Sequence, residues 1–466
     1  MSSEGSLGDN PGISEAVLPN GLKCICSQDP SMEKTVIQLD IDCGFFQDPV
    51  DLSGLADISL STVFRGSENY PGVDDFRVFV SKNKIEFRAH ANLARTSIAT
   101  AVPNHALEEY LDRLTDLVSK PILSKEGLDC AEIKHGQAYY ADINNDVYRE
   151  QHLLQYLHHR ISFQTTLLFK RKDLLTCIQE FVSCFYCPSK MTVYIIGNAP
   201  IVDLKALSYR HFGKMSQRNH LKMPPYLRAP GCDRDFTNTL RVRGQAVFAR
   251  MFTRSEKTKL TLSFRLPSNA DVSSVLYIAY LFHTSQAHSL RDKLESDALI
   301  DHLDVPYRNE TFDSQTLDLH FSVTDKGSKN IPIVVGFVLG YIEIIKRMQP
   351  NSIIFNQAHD YFKSVRIRNN SFELLEMVAC ELAMGSKLDD LRLAEVPRVF
   401  DDASINDVAH SLTLENCVIV AMSDEYTDTK VHVETDFFLQ YSIENLFAEA
   451  LFDGLSQPQP YPLVEN

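Results

Sequence analysis

Asp57 and Ser61 stand four residues apart, with Leu60 between them, in the run Gly54-Leu55-Ala56-Asp57-Ile58-Ser59-Leu60-Ser61-Thr62-Val63-Phe64-Arg65-Gly66-Ser67-Glu68-Asn69-Tyr70-Pro71. On a helix, side chains four apart share a face with Cβ atoms about 5–6 Å apart, so two good ligands at that spacing can grip one divalent ion. Hydrolysis at such an ion also needs a base for the metal-bound water, whose pKa the metal pulls to about 7. Asp57 offers one oxygen. Ser61 stays protonated at neutral pH and is a poor zinc ligand, and Leu60 can neither coordinate nor carry a proton. The spacing is that of metal chemistry; the residue types are not.

The run resembles the active-site helix of the pitrilysin and insulin-degrading-enzyme family, the inverzincin zinc metallopeptidases, whose frame reads G-L-x-H-x-x-E-H-x-x-F-x-G-S/T-x-x-Y-P. Gly54, Leu55, Phe64, Gly66, Ser67, Tyr70 and Pro71 fit the frame, whereas its His, Glu and His fall on Asp57, Leu60 and Ser61. A further family ligand is a Glu on a later helix, in a segment like R-E-x-N-A-V-x-S-E-H. In the matching stretch Cys130 to Tyr140, Glu132 fits the first Glu and the ligand position falls on Tyr139. The resemblance extends to Leu18-Pro19-Asn20-Gly21-Leu22-Lys23, to Asn104 through Leu114, and to Phe181 through Met191 leading into Thr192-Val193-Tyr194-Ile195-Ile196-Gly197. It implies no catalytic residue, with Leu60 as the degenerate base position. It also implies no metal, with Asp57, Ser61 and Tyr139 as degenerate ligand positions where the family would bind zinc.

A second site is altered in the same sense. Tyr280 to Leu290 matches H-L-I-G-H-E-G-P-G-S-L, a glycine-rich turn that in insulin-degrading enzymes anchors the N-terminus of the peptide. Here the anchor positions are His283, Thr284, Ser285 and Gln286, with His288 just beyond. Backbone approach to a ligand needs Gly where side chains intrude, so no substrate binding is expected there.

The implied fold is α+β: two homologous domains of the metallopeptidase LuxS/mitochondrial-processing-peptidase-like fold, each a mostly antiparallel sheet with helices packed on it. A length of 466 residues independently favours two domains of about 200 residues. The expected organisation is a flexible N-terminus at 1–16 and a first domain at 17–214 with its degenerate helix at 52–66. A linker at 215–244, a second domain at 245–450 and a tail at 451–466 follow. In the first domain, period-two alternation marks strands at Lys23–Ser27 and Thr35–Cys43, with others at Ile85–Ala91, Arg95–Ala101 and Thr192–Ile196. Helices are expected at Leu52–Phe64, His105–Val118, Glu126–Asn144, Tyr148–His159, Lys172–Phe185 and Val202–Phe212. An internal repeat supports two copies of one unit. The strands starting at Thr35 and Thr192 lie 157 residues apart, as do those at Lys259 and Asn416.

Composition narrows the function classes. A net charge of −15 argues against a nucleic-acid groove. Residues 214–254 run against that balance with nine Lys or Arg and two Asp. Residues 1–16 resemble neither a secretory signal nor a transit peptide, and Ile331–Ile342 is too short to span a bilayer. Cys184 and Cys187 form the one C-x-x-C, without a second pair, and Cys24 and Cys26 share a strand face. A reducing, cytoplasmic setting is expected. His152 and His159, seven apart on one helix, are too distant to share a metal. His105 with Glu108 and Glu109 reads as surface helix, and no G-x-S-x-G or P-loop is present.

The first functional expectation is therefore a catalytically inactive, insulin-degrading-enzyme-like pseudopeptidase. It would act as a structural, regulatory or peptide-holding partner of another peptidase-like chain or half that completes a chamber. Its alternatives are a zinc metalloendopeptidase with atypical ligands or completed by a partner chain, and a scaffold subunit like the core proteins of respiratory complex III.

Overall fold

The computed structural model describes residues 13–445, apart from residues 31, 254 and 256 and the stretches 143–144, 160–167, 217–223, 225–246, 268–269, 285–288, 306–308, 312–313, 369–399, 428–431 and 435–438. The expected tail, and all of the expected linker but residues 215, 216 and 224, lie outside the described residues. What is described falls into two compact units, one containing the stretches up to 138 and 168–216, the other containing 145–159, 247–365 and 400–445.

The first unit follows the chain through β1 (Ile13–Val17), β2 (Lys23–Gln28), β3 (Lys34–Ile41), α1 (Leu55–Val63), α2 (Asp75–Lys82), β4 (Glu86–Ala91), β5 (Thr96–Pro103), α3 (Leu107–Ser119) and α4 (Lys125–Asp142). After α5 (Asp146–His159) it resumes with α6 (Leu174–Phe185), β6 (Met191–Gly197) and α7 (Ile201–His211). Its sheet runs β1-β2-β6-β3-β5-β4, antiparallel throughout except that β2 and β6 are parallel. Alternation sorts β3 between two faces. Ile37, Leu39 and Ile41 enter the main core with the helices, and Val36 joins Ala99, Ala101, Tyr194 and Ile196 in a smaller cluster.

The second unit contains β7 (Val247–Phe252), β8 (Lys259–Arg265), α8 (Val272–His283), α9 (Leu290–Ser296), β9 (Ile300–Asp304), β10 (Asn309–Thr311) and β11 (Ser314–Val323). It continues with α10 (Asp325–Ser328), α11 (Ile331–Arg347), α12 (Ser352–Arg368), α13 (Asp402–Ser411), β12 (Cys417–Ser423), β13 (His432–Glu434) and β14 (Leu439–Asn445). Its sheet runs β10-β11-β8-β12-β7-β14-β13, with β9 also on β11. Here too one pair is parallel, β12 with β7, and β12 is flanked on its other side by antiparallel β8. β6 holds the same place between β2 and β3, so the spacing of 157 residues reappears as topology.

Three features differ from the sequence expectation. Residues 13–16, expected to be flexible, belong to β1, which is registered on β2 from Ile13↔Ser27 to Val17↔Lys23. Its composition carries little signal, and the ladder itself holds it. α2 has no expected counterpart. The helix expected at Tyr148–His159 inside a continuous first domain is α5, which belongs to the second unit. There Leu153, Leu154 and Leu157 pack on Ala249, Met251, Val420 and Met422, and Arg149 Nη2 donates to the Phe252 carbonyl at 2.9 Å. A leucine stripe specifies that a helix must be covered, not which sheet covers it.

Candidate functional site

α1 is enclosed on nearly every side. Leu55, Ala56, Ile58, Ser59, Leu60, Thr62 and Val63 are buried, and only Asp57 and Ser61 form a partly open stripe one turn apart. The frame residues explain how the helix is held. Gly54 precedes it at φ 94, a left-handed conformation that favours glycine. Buried Asp48 caps its start, accepting from the Gly54 N–H at 2.7 Å through Oδ2 and from the Ala56 N–H at 2.9 Å through Oδ1. At the far end Gly66 has φ 120, and a Cβ there would lie 2.8 Å from the Pro71 carbonyl oxygen. The Ser67 N–H donates to the Tyr70 carbonyl at 2.9 Å, and the Arg113 guanidinium covers the Tyr70 ring at 4.1 Å. These residues maintain the helix and its exit turn through backbone conformation, capping and packing.

The chemical positions are occupied differently. Leu60, at the base position, is 2% exposed and belongs to the main core. His135, from α4, reaches the open stripe of α1: its Nε2 is 2.9 Å from Ser61 Oγ and its Nδ1 3.4 Å from Asp57 Oδ2. One imidazole therefore contacts both degenerate ligand positions. Zinc does not fit this arrangement: at the two ligand positions of α1 stand one carboxylate and a protonated hydroxyl, the base position holds a leucine, and a ring already engages the two positions that face outward. Tyr139 lies on α4 one turn beyond His135, and its side chain is outside the described residues. Among the described residues, no group of three or more His, Cys, Asp or Glu side chains is arranged to hold a metal ion.

The atoms Asp57, His135 and Ser61 occur in the order of a nucleophile relay, but the surroundings lack what acyl transfer requires. Ser61 lies within a continuous helix whose N–H groups belong to its own ladder, so none converges on a developing oxyanion. The 3.4 Å contact to Asp57 is also long for an orienting hydrogen bond. The arrangement holds α1 to α4.

Beside it opens a cavity of about 470 Å³, walled by Leu60 and Ser61 of α1, Phe76 and Arg77 of α2, Phe87 of β4 and Lys134 of α4. Phe64, Phe76 and Phe87 pack as a trio with ring centroids 5.0–5.3 Å apart. Arg65 crosses the wall, with Nη1 3.2 Å from Asp74 Oδ1 and Nη2 donating to the Cys130 carbonyl at 3.3 Å. Partial burial of an otherwise exposed side chain pushes the Lys134 ammonium below its ordinary range, and the Arg65 and Arg77 charges add to this against an opposing pull from Asp57.

In the second unit, His283 ends α8 with its ring 4.5 Å from that of Tyr361, and burial, aided by Arg291, lowers its pKa. Thr284 closes the helix, its N–H donating to the Tyr280 carbonyl at 2.9 Å. Ser285 and Gln286 lie outside the described residues.

The sequence reading names the altered positions but not His135, Asp48, Arg65, Arg77 or Lys134. For His135 a signal was available: it precedes the Tyr139 ligand position by one helical turn, on the same face.

Comparison with known proteins identifies the family and the fold. Residues 23–169 match the family model described as Insulinase (Peptidase family M16), and residues 175–359 match Peptidase M16 inactive domain. The A-factor-processing enzyme of Saccharomyces cerevisiae is 24% identical over 358 residues, which cover 74% of this chain and 34% of that protein. Protease 3 of Escherichia coli is 20% identical over 98% of this chain and 49% of its own length. The chain thus spans about a third to a half of these curated relatives. The crystal structure of pitrilysin superposes with a TM-score of 0.77 at 18% identity, over 96% of this chain and 48% of that one. A protease from Helicobacter pylori superposes with a TM-score of 0.66 at 13% identity, over 89% of this chain and 99% of that one. At these identities the superpositions establish the pitrilysin-like fold.

Proposed function

The chain belongs to the M16 family of peptidases, the insulinase or pitrilysin family, and from that premise we propose that it works without zinc, as a peptide-holding or regulatory member of a larger chamber. The supporting observation is the contact of His135 with both Ser61 and Asp57 beside a buried Leu60. A zinc peptidase needs an open coordination position and a base; this helix presents an imidazole clasp and a hydrocarbon wall. The frame residues that shape α1 remain, so the surface around it is maintained while the chemistry is not.

The reading includes a complement of two further units of the same kind, on the same or another chain, and the overlap with 48% of pitrilysin supports it. No described helix is long and apolar enough to cross a membrane. The eight described cysteines are all free, in keeping with the reducing, cytoplasmic setting we assign. Metal analysis of the protein purified without chelator tests the reading. The expected result is zinc far below one ion per chain and no chelator-sensitive cleavage of a mixed peptide library. Stoichiometric zinc together with cleavage lost in Asp57→Ala would establish an atypical zinc peptidase instead. Native pull-down with mass spectrometry then identifies the complementary units.

A further inference from the structure

We propose that the cavity beside Leu60 is a binding site for a compact apolar monocarboxylate, its hydrocarbon part against Phe64, Phe76 and Phe87 and its carboxylate toward Arg77 and Lys134. Size, surface and charge each point there. A volume of about 470 Å³ falls among small-ligand pockets, which range over roughly 300–1,000 Å³. Its apolar lining includes Leu60, Val80 and Ala89 beside the three rings. A strongly hydrated anion such as phosphate would lose water against that wall without compensation, whereas a hydrocarbon tail gains from burial there.

The charge is uncompensated. Arg65, Arg77 and Lys134 line the cavity against one carboxylate, Asp74, which pairs with Arg65. Among the described residues Arg77 and Lys134 have no carboxylate within 4.0 Å, in a chain whose net charge is −15. The lowered pKa of Lys134 comes first from partial burial and then from repulsion by Arg65 and Arg77, against a pull from Asp57. A bound carboxylate relieves that repulsion. Leu60 completes the logic. A glutamate at this position would set a negative charge in the wall and repel the ligand, so the side chain that removes the base also makes the cavity receptive to an acid.

Titration calorimetry on the whole chain tests this with octanoate and N-acetylphenylalanine, against neutral octanol and N-acetylphenylalaninamide. Saturable one-to-one binding of an acid, with its neutral analogue about tenfold weaker or more, is the expected result. Preference for octanoate identifies an aliphatic acid as the source, and preference for N-acetylphenylalanine a peptide carboxyl terminus. Arg77→Gln with Lys134→Gln changes two exposed side chains, keeps the fold, and lowers acid affinity about tenfold. Equal binding of acid and neutral analogue, unchanged affinity in the double variant, or no saturable binding of either acid overturns the proposal. None of these results depends on the metal content, so this site and the zinc-free reading fail separately.

Discussion

His135 Nε2 lies 2.9 Å from Ser61 Oγ, and the same ring places Nδ1 3.4 Å from Asp57 Oδ2. α4 thereby supplies from a neighbouring helix a hydrogen-bonding partner for the one stripe of α1 left open by burial. A polar stripe in a nearly enclosed helix needs such a partner, since unpaired polar groups there cost about 1–3 kcal/mol.

If the substitutions at 57, 60, 61 and 139 account for the proposed loss of zinc, reversing them restores full affinity only once the imidazole is removed. The variant Asp57→His, Leu60→Glu, Ser61→His, Tyr139→Glu with His135→Ala should bind close to one zinc per chain. The same variant retaining His135 should bind more weakly. Zinc titration with a competing chelator compares them, and equal affinity would refute a blocking role for His135.

Ser61 should not behave as a nucleophile. A fluorophosphonate probe is expected to leave it unlabelled under conditions that label a serine hydrolase completely, because its helix supplies no oxyanion donors. Peptide mapping after labelling gives the answer, and modification of Ser61 that disappears in His135→Ala would assign it a catalytic role.

Asp48 holds the start of α1 through two hydrogen bonds that its buried carboxylate accepts from the Gly54 and Ala56 N–H groups. Asp48→Ala should lower stability by about 1–2 kcal/mol, as loss of a helix cap does. The measurement is the urea midpoint at constant slope. An unchanged midpoint would mean that the frame, and not this carboxylate, holds the helix.

His152 on α5 gives the second unit a pH dependence. Burial pushes its pKa from 6.5 to about 3, so the folded chain keeps it neutral where the unfolded chain protonates it. Its contribution is present above pH 6.5 and is lost as pH falls through 6.5 toward 3, by at most about 1.4 kcal/mol per pH unit. Denaturant unfolding at pH 7.5 and pH 5 should show a difference that shrinks in His152→Gln. An equal difference in both proteins assigns the acid sensitivity to other groups.

Much of this molecule was legible from residue types and spacing. Gly54, Gly66, Ser67 and Tyr70 specify backbone conformations that only a particular exit turn satisfies, so their pattern marks α1 without a structure. The 157-residue spacing marks β3 with β8 and β6 with β12, because two copies of one sheet topology require equal lengths of chain between equivalent strands. The alternation in β3 and the burial of Leu111, Leu114 and Val118 along one stripe of α3 are local consequences of period and burial.

Partnership was decided only by the tertiary structure. Nothing local in Ile13–Val17 predicts a strand, since the hydrogen bonds that hold it belong to β2. Nothing in α5 names the second sheet as its cover, because apolar contact carries no address. His135 reads as an unremarkable residue of α4 until folding brings it across 74 positions of sequence to Ser61. A sequence records which groups could react or must be buried; which of them meet is set by the packing of elements distant along the chain.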